Sequence, residues 1–345
     1  MKKLMVALPL VALVAACGSG GSGGSAAGSQ IKVVGSSTVY PFTTAVAEEF
    51  QRANPGNSVI VESTGTGSGI KLFCAGVGDK FPDIVNASRQ LKASEYADCA
   101  KNGAKNVIEL AIGIDGLTLI EGKDGPGLNL TVTDIYKALA ANPFGKPNTA
   151  QTWKDVNPAL PAMKIRVLGP PPTSGTRDSL ADLILTKGCE SDPAMKELKK
   201  TDESKQKDIC TKVREDGVFV EAGENDNLLV QKVAADPGTL GVLGFSFLEE
   251  NADKVKAVQL AGVTPTVETI ANLSYPGSRK LYLYVKGEHM AAKPKIKDFI
   301  AAYAKQWGAG GALQKRGLVP FGGADAEAAA AQATALTPID PASLK

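Results

Sequence analysis

Three segments rich in Gly, Ser and Thr carry the residues with the clearest chemical potential. Each follows an apolar, strand-like run and precedes an amphipathic, helix-like one; they are VVGSSTVYPF (33–42), VESTGTGSGIKLF (61–73) and RVLGPPPTSGTRDSL (166–180). The start of a helix offers unpaired backbone N–H groups and the positive end of the helix dipole, so such a segment can hold an oxyanion. Three of them in one chain indicate one anion held from several sides.

Each segment supplies neutral hydrogen-bond donors, and small residues let the backbone approach an anion closely. We call residues 36–39 loop 1, residues 64–68 loop 2 and residues 170–176 loop 3. The candidate donors are Ser37, Thr38 and the N–H of Val39 in loop 1, Thr66, Gly67 and Ser68 in loop 2, and Ser174, Gly175 and Thr176 in loop 3.

Two arginines are placed to supply positive charge. Arg89 ends the strand and turn DIVNAS (83–88), and Arg177 directly follows loop 3. Both can reach an anion bound at the carboxyl ends of strands. A charged hydrogen bond contributes about 1.5 to 3 kcal/mol, so two arginines and several hydroxyls suffice for the roughly 8 kcal/mol of a micromolar site.

The elements that must position these residues predict an α/β fold, because β-branched runs alternate with segments of helical periodicity. The predicted strands are 31–34, 58–62, 83–85, 107–114, 164–168, 241–247 and 280–285. Helices are predicted after loop 1, after loop 2, over 132–141 and over 295–307. The apolar stripe of the second helix extends to Val77. The alanine-rich stretch beyond Gly323 is predicted not to dock into the core.

The amino terminus predicts export. Lys2 and Lys3 precede an apolar run (4–16) that is too short to span a membrane and is typical of a secretory signal. Small residues before Cys17 look like a bacterial lipobox, so we expect Cys17 to be lipidated and residues 17–30 to form a flexible Gly/Ser tether. An ordinary signal peptide with a coincidental cysteine is the alternative.

The charge balance excludes bulk electrostatic partners. Removing the signal takes away Lys2 and Lys3, which lowers Lys+Arg from 38 to 36 against 36 Asp+Glu. Nucleic acid and anionic membrane surfaces both require a basic face, so neither is expected as a partner.

Four further cysteines favour disulfides in an exported protein. We expect Cys74 to pair with Cys99 and Cys189 with Cys210, because each pair closes a short loop within one region. Each disulfide would contribute roughly 3 kcal/mol through the unfolded state. A zinc site is the competing interpretation, but the sequence lacks the close cysteine pairs that zinc ligation usually shows.

Taken together, the motifs resemble one family, the PstS-type phosphate-binding proteins of bacterial ABC phosphate importers. The resemblance covers residues 31–321 and rests on GSSTVYP, GTGSGIK, DIVNASR, GPPPTSGTRD, AGENDN and GTLGVLGFSF. It implies an α/β, two-lobed periplasmic-binding-protein fold of type II, with mixed sheets flanked by helices and hinge strands between the lobes. Lobe I would be residues 31–115 plus 258–323, lobe II residues 116–257, and the tail residues 324–345.

The resemblance also implies a function and a site. It assigns the donors of loops 1 to 3 to phosphate and adds a further cleft-lining segment, Asn225, Asp226 and Asn227. The expected partners are inorganic phosphate and membrane ABC permease subunits, and the expected location is the periplasm, with a lipid anchor at Cys17. We expect a monomer without enzymatic activity, cofactor or metal.

The sequence departs from the best-known enterobacterial members. Their arginine ahead of the SGT motif falls on Pro170, and their aspartate after the strand falls on Arg89. That aspartate accepts a hydrogen bond from protonated phosphate and repels sulfate. The replacement carboxylate stays open between Asp178, Asp226 and Glu62.

Two alternatives therefore remain: a carrier of another oxyanion such as sulfate or molybdate, and a secreted phosphatase with a loop serine as nucleophile. The phosphatase requires an activating base or metal cluster. The chain contains one histidine, His289, which its polar context predicts to lie on the surface far from the loops.

Overall fold

The computed structural model describes residues 30–172, 174–223 and 225–344. The predicted signal peptide, Cys17 and nearly all of the tether lie outside the described residues. The strands are β1 (Gln30–Gly35), β2 (Ser58–Ser63), β3 (Ile84–Ala87), β4 (Val107–Gly122), β5 (Asn129–Leu130), β6 (Val167–Gly169), β7 (Phe219–Glu221), β8 (Leu240–Gly244), β9 (Val255–Ala257), β10 (Gln259–Leu260) and β11 (Ser278–Lys286).

Helices flank these strands along the chain. They are α1 (Tyr40–Ala53), α2 (Thr66–Phe73), α3 (Ala93–Lys101), α4 (Val132–Leu139), α5 (Trp153–Val156), α6 (Gly175–Ser179), α7 (Thr186–Cys189), α8 (Pro193–Thr201), α9 (Glu203–Thr211), α10 (Asp226–Ala235), α11 (Phe245–Glu250), α12 (Val267–Ala271), α13 (Lys295–Ala304) and α14 (Gly323–Ala335). A π-helical stretch, Leu180–Leu185, joins α6 to α7.

The main sheet has the order β2-β1-β3-β11-β4-β8-β6-β7, with β9 also paired to β4. The 16-residue strand β4 passes through both halves: residues 107–116 pair with β11, and residues 117–122 pair with β8 and β9. The chain returns to the first half after β10, which pairs with β5. The lobe boundaries given above stay a prediction.

The predicted helix after loop 1 corresponds to α1. Phe42, Val46 and Phe50 recur every fourth residue and are buried, and Pro41 occupies the first turn, where a missing N–H is tolerated. The second predicted helix is shorter than expected. Helix α2 ends at Phe73, and Val77 lies beyond it and is exposed.

Two other expectations were wrong in their extent. The predicted strand 241–247 divides into β8 and α11, since Phe245 and Leu248, three residues apart, are both buried on one helical face. The predicted strand 164–168 begins only at Val167, and Lys164 instead forms an isolated bridge with Thr152.

The alanine-rich tail docks, contrary to expectation. Within α14, Ala329 is buried, and Gln332 Nε2 donates to Glu109 O on β4 at 3.3 Å. Beyond the helix, Ile339 N donates to Val107 O at 2.8 Å. Leu336 and Ile339, at and beyond the end of the helix, also pack against the core, so the few large apolar residues of the tail suffice to dock it.

Both proposed disulfides are present: Cys74 with Cys99 and Cys189 with Cys210. The first joins the end of α2 to α3, and the second joins α7 to α9. Within the described residues, no helix combines the length and apolarity needed to cross a membrane.

Candidate anion-binding site

Loop 2 packs against Gly35, the last residue of β1, which directly precedes loop 1. The N–H groups of Thr64 and Gly65 both donate to Gly35 O, at 2.9 and 2.8 Å. A β-carbon at Gly69 would lie 2.5 Å from the Gly35 Cα, so only glycine allows α2 to pack this closely against the end of β1. The GTGSG spacing therefore serves packing as well as donor supply.

Loop 1 also touches loop 3, which belongs to the other half of the sheet. Thr38 Oγ1 donates to Gly175 O at 3.0 Å. A β-carbon at Gly175 would lie 2.6 Å from Thr38 Cα and 2.7 Å from Ser37 O. The structure thus brings the first and third predicted loops into direct contact across the two halves.

Loop 2 contacts the turn after β3, where the first predicted arginine lies. Thr66 Oγ1 accepts from Ser88 N at 3.1 Å, and the two hydroxyls lie 3.0 Å apart. Arg89 Nη2 would lie 4.0 Å from a β-carbon at Gly67. The guanidinium also forms a two-pronged pair with Glu95, at 2.9 and 2.7 Å, and this hydrogen bonding raises the pKa of Arg89 despite partial burial.

Arg177 lies at the ends of β6 and β7. Its guanidinium stacks 4.5 Å above the Phe219 ring, Nη1 donates to Pro170 O at 3.1 Å, and Glu221 lies 3.8 Å away. Burial lowers the pKa of Arg177, and Glu221 partly opposes this. The charge therefore lies beside Pro170, the position that carries arginine in the resembled enterobacterial proteins.

Asp178 is the candidate carboxylate that contacts loop 1. Ser37 Oγ donates to Asp178 Oδ2 in a short hydrogen bond. Burial raises the pKa of Asp178, and the charge of Asp182 adds to this while the Ser37 bond opposes it. Of the other two candidates, Glu62 lies exposed on β2 and Asp226 is the first residue of α10.

The segment 225–227 forms the start of helix α10, and its first residue caps that helix. Asn225 Oδ1 accepts from Leu228 N at 3.1 Å and so caps α10. Asn225 and Asn227 are exposed, and Asp226 is partly exposed in the first turn.

Sequence reasoning missed Arg279, the second residue of β11. Its side chain is 8% exposed, and Nη2 donates to Thr38 Oγ1 at 2.9 Å and to Ser179 Oγ at 2.6 Å. Nε and Nη1 reach Asp115 and Asp182 at 3.2 and 3.0 Å. No local motif marks this arginine, which lies 241 residues from Thr38 in the chain.

His289 is buried, so its predicted surface position was wrong. Its Nδ1 lies 2.6 Å from Asp83 Oδ1, and Nε2 accepts from Gly78 N at 2.8 Å. Asp83 precedes β3 while Ser88 follows it, so the histidine lies at the end of the strand opposite the loops. Across the described part of the chain, no group of three or more His, Cys, Asp or Glu could hold a metal ion.

The sheet has two halves that share the long strand β4, and loops 1 and 3 meet between these halves. This arrangement is that of a two-lobed binding protein. The family model of the PBP superfamily domain matches residues 20–304, and the chain belongs to this superfamily.

Two relatives illustrate the similarity, and the second of them is a phosphate-binding protein by name. The chain is 34% identical over 296 residues to Protein SphX of Synechococcus elongatus, which covers 83% of this chain and 76% of the relative. It is 30% identical over 276 residues to the phosphate-binding protein PstS of Staphylococcus saprophyticus. That alignment covers 79% of this chain and 74% of the relative. The resemblance to PstS-type proteins is thereby confirmed.

A solved structure agrees in fold. The crystal structure of a possible phosphate binding protein from Planctomyces limnophilus superposes with a TM-score of 0.70 at 27% identity, covering 89% of this chain and 98% of that one.

Proposed function

We propose that this protein binds inorganic phosphate between its two lobes and delivers it to an ABC-type import permease. The observation that carries the proposal is the contact of loops 1 and 3 across the lobes, with loop 2 packed beside them. The relative PstS, a phosphate-binding protein by name, supports phosphate as the ligand.

The charges around the loops favour an anion that carries a proton. Five carboxylates accompany three guanidinium groups: Asp115, Asp178, Asp182, Glu95 and Glu221, with Arg89, Arg177 and Arg279. Sulfate is fully ionised at neutral pH, whereas phosphate retains a proton that it can donate to a carboxylate. This balance supports phosphate over a sulfate-like oxyanion.

The test is a comparative thermal shift with phosphate and with sulfate at equal concentration. Phosphate at a hundredfold excess over Kd should add about 2.7 kcal/mol to the free energy of unfolding, and sulfate should add nothing measurable. Equal shifts from the two anions would show a general oxyanion carrier. No shift from either would overturn the binding proposal.

The same site argues for binding without catalysis. A loop serine needs a base to become a nucleophile, and the chain's one histidine is bonded to Asp83 at the far end of β3. The group bonded to Ser37 is the carboxylate of Asp178, and a carboxylate is ordinarily a weaker base than an imidazole. Turnover of a phosphomonoester that survives purification and disappears when Ser37 or Ser174 is replaced by alanine would revive the phosphatase.

We further propose that Cys17 anchors the exported protein to a membrane through lipid. The apolar run and the small residues before Cys17 support this. Cys17→Ser should move the protein from the membrane fraction to the soluble fraction and abolish labelling by a fatty-acid probe. A wild-type chain that takes up no label would contradict the anchor.

A further inference from the structure

Arg279 occupies a position unlike that of the two arginines predicted from sequence. It lies on β11 beside β4, the strand that threads both halves, and its partners belong to different parts of the molecule. Thr38 comes from loop 1 in the first half, Ser179 and Asp182 from the helical segment after loop 3, and Asp115 from β4 itself.

The hydroxyl partners continue the network in both directions. Ser179 Oγ accepts from Arg279 and donates to Asp115 Oδ2 at 2.7 Å. Thr38 Oγ1 accepts from Arg279 and donates to Gly175 O at 3.0 Å. One guanidinium therefore holds loop 1, the end of α6 and the long strand together.

Separation of the lobes would break this arrangement. A buried guanidinium that loses a partner retains its desolvation cost, so parting Thr38 from Ser179 is unfavourable until water replaces the lost bonds. The planar fork of arginine presents five donors in fixed directions, which a lysine ammonium cannot reproduce. The network thus stabilises the contact of loops 1 and 3 specifically.

We propose that Arg279 is a positioning residue that locks the closed form and thereby sets the lifetime of the bound anion. This inference rests on the proposed function. Arg279 acts by holding Thr38 and Ser179 against each other, so its loss should speed ligand release more than it slows ligand capture.

The test measures release and closure separately. Bound ³²P-labelled phosphate is chased with unlabelled phosphate to obtain the dissociation rate, and small-angle X-ray scattering follows the decrease in radius of gyration on binding. For Arg279→Gln we expect dissociation at least about tenfold faster, equivalent to about 1.4 kcal/mol. We also expect association within about threefold of wild type and a smaller decrease in radius at saturating phosphate.

Two more variants and one control separate a lock from a merely structural role. The dissociation rate of Arg279→Lys should fall between those of wild type and Arg279→Gln. Asp182→Asn should also speed release, and it should leave the fold intact because the Asp182 side chain is 57% exposed. The control is Arg214→Gln: Arg214 is equally buried but bonds Asp216 and Ala150 O within the second half. Arg214→Gln should lower Tm and leave the dissociation rate unchanged.

The outcomes distinguish this inference from the proposed function. Unchanged dissociation in Arg279→Lys and Asp182→Asn overturns the lock, even if Arg279→Gln fails to fold. Faster release in Arg214→Gln to the same degree also overturns it, because general destabilisation would then suffice. Absence of phosphate binding by the wild-type protein overturns the proposed function instead.

Discussion

At the residue scale, we propose that Asp178 sets the selectivity between phosphate and sulfate. A carboxylate next to an anion site repels a fully ionised ligand and accepts a hydrogen bond from a protonated one. Asp178 is bonded to Ser37 of loop 1, and burial raises its pKa. We therefore propose that Asp178 takes the role of the aspartate that the resembled enterobacterial proteins carry at the position of Arg89.

Asp178→Asn should weaken discrimination between phosphate and sulfate. The amide keeps an acceptor for Ser37 but removes the charge that repels sulfate, so the ratio of the two Kd values should fall at least about tenfold. Titration calorimetry with each anion measures this ratio. Asp208→Asn, an exposed change on α9, is the control, and an unchanged ratio in Asp178→Asn would exclude the carboxylate as the discriminator.

Arg89 and Arg177 should each contribute to affinity. Arg89 lies beside Gly67 of loop 2, and Arg177 lies beside Pro170 of loop 3, so alanine at either position removes positive charge next to a donor loop. We expect each substitution to raise the Kd for phosphate at least about tenfold, or about 1.4 kcal/mol. An arginine whose removal leaves calorimetric affinity near wild type does not act on the ligand.

At the scale of elements, close backbone approach joins the two lobes. Gly175 begins α6 against Thr38, and a β-carbon there would lie 2.6 Å from Thr38 Cα. The strand, loop and helix around each anion loop were predictable because the pattern is local. The contact between loops was not, since residues 137 positions apart meet only through the order of the strands.

Gly175→Ala should therefore lower phosphate affinity. The added methyl group would lie 2.6 Å from Thr38 Cα, so it would hold loops 1 and 3 apart. We expect Kd to rise at least about tenfold. Gly244→Ala is the control, because a β-carbon there meets nothing within 4 Å; a Gly175→Ala protein that binds normally would show that the lobes need not approach this closely.

The alanine-rich composition of the tail led to a wrong prediction, because helix α14 docks against the core. Ala329 of α14 is buried and Ala330 is exposed, although the two neighbours have the same side chain. Helix propensity is equal at both positions, so a matched pair isolates the packing. Ala329→Asp should reduce the free energy of unfolding by about 2 kcal/mol more than Ala330→Asp, because it buries a charge. Equal losses in chemical denaturation would mean that α14 does not dock.

At the scale of the whole molecule, stability and binding are placed at opposite ends of the first lobe. Loops 1 and 2 and the turn that carries Arg89 follow the carboxyl ends of β1, β2 and β3. In contrast, Asp83, His289 and Lys293 form a buried polar group at the amino end of β3. Individual motifs predicted the loop end well. The polar group at the other end was missed, because Asp83 and His289 are 206 residues apart and each looked like an ordinary polar position.

Asp83 should make the fold sensitive to acid while leaving the site unaffected. Burial by itself raises the pKa of Asp83, but hydrogen bonds from His289, the N–H of Lys32 and Lys293 outweigh it and hold the pKa below its ordinary value. The unfolded chain therefore takes up this proton first. The stability that Asp83 contributes is present above about pH 4, the ordinary range of an aspartate, and is lost as pH falls through the lower pKa of the folded state.

Asp83→Asn should destabilise the protein by about 3 kcal/mol at neutral pH, because Lys293 loses its buried partner. The difference from wild type should shrink as pH falls below about 4, and phosphate affinity at neutral pH should not change. Denaturant titrations from acidic to neutral pH measure the first two effects, with the exposed Asp98→Asn on α3 as control. A difference that stays constant with pH would show that Asp83 does not titrate differently in the folded state, and a loss of phosphate affinity would show that the two ends of the lobe are coupled.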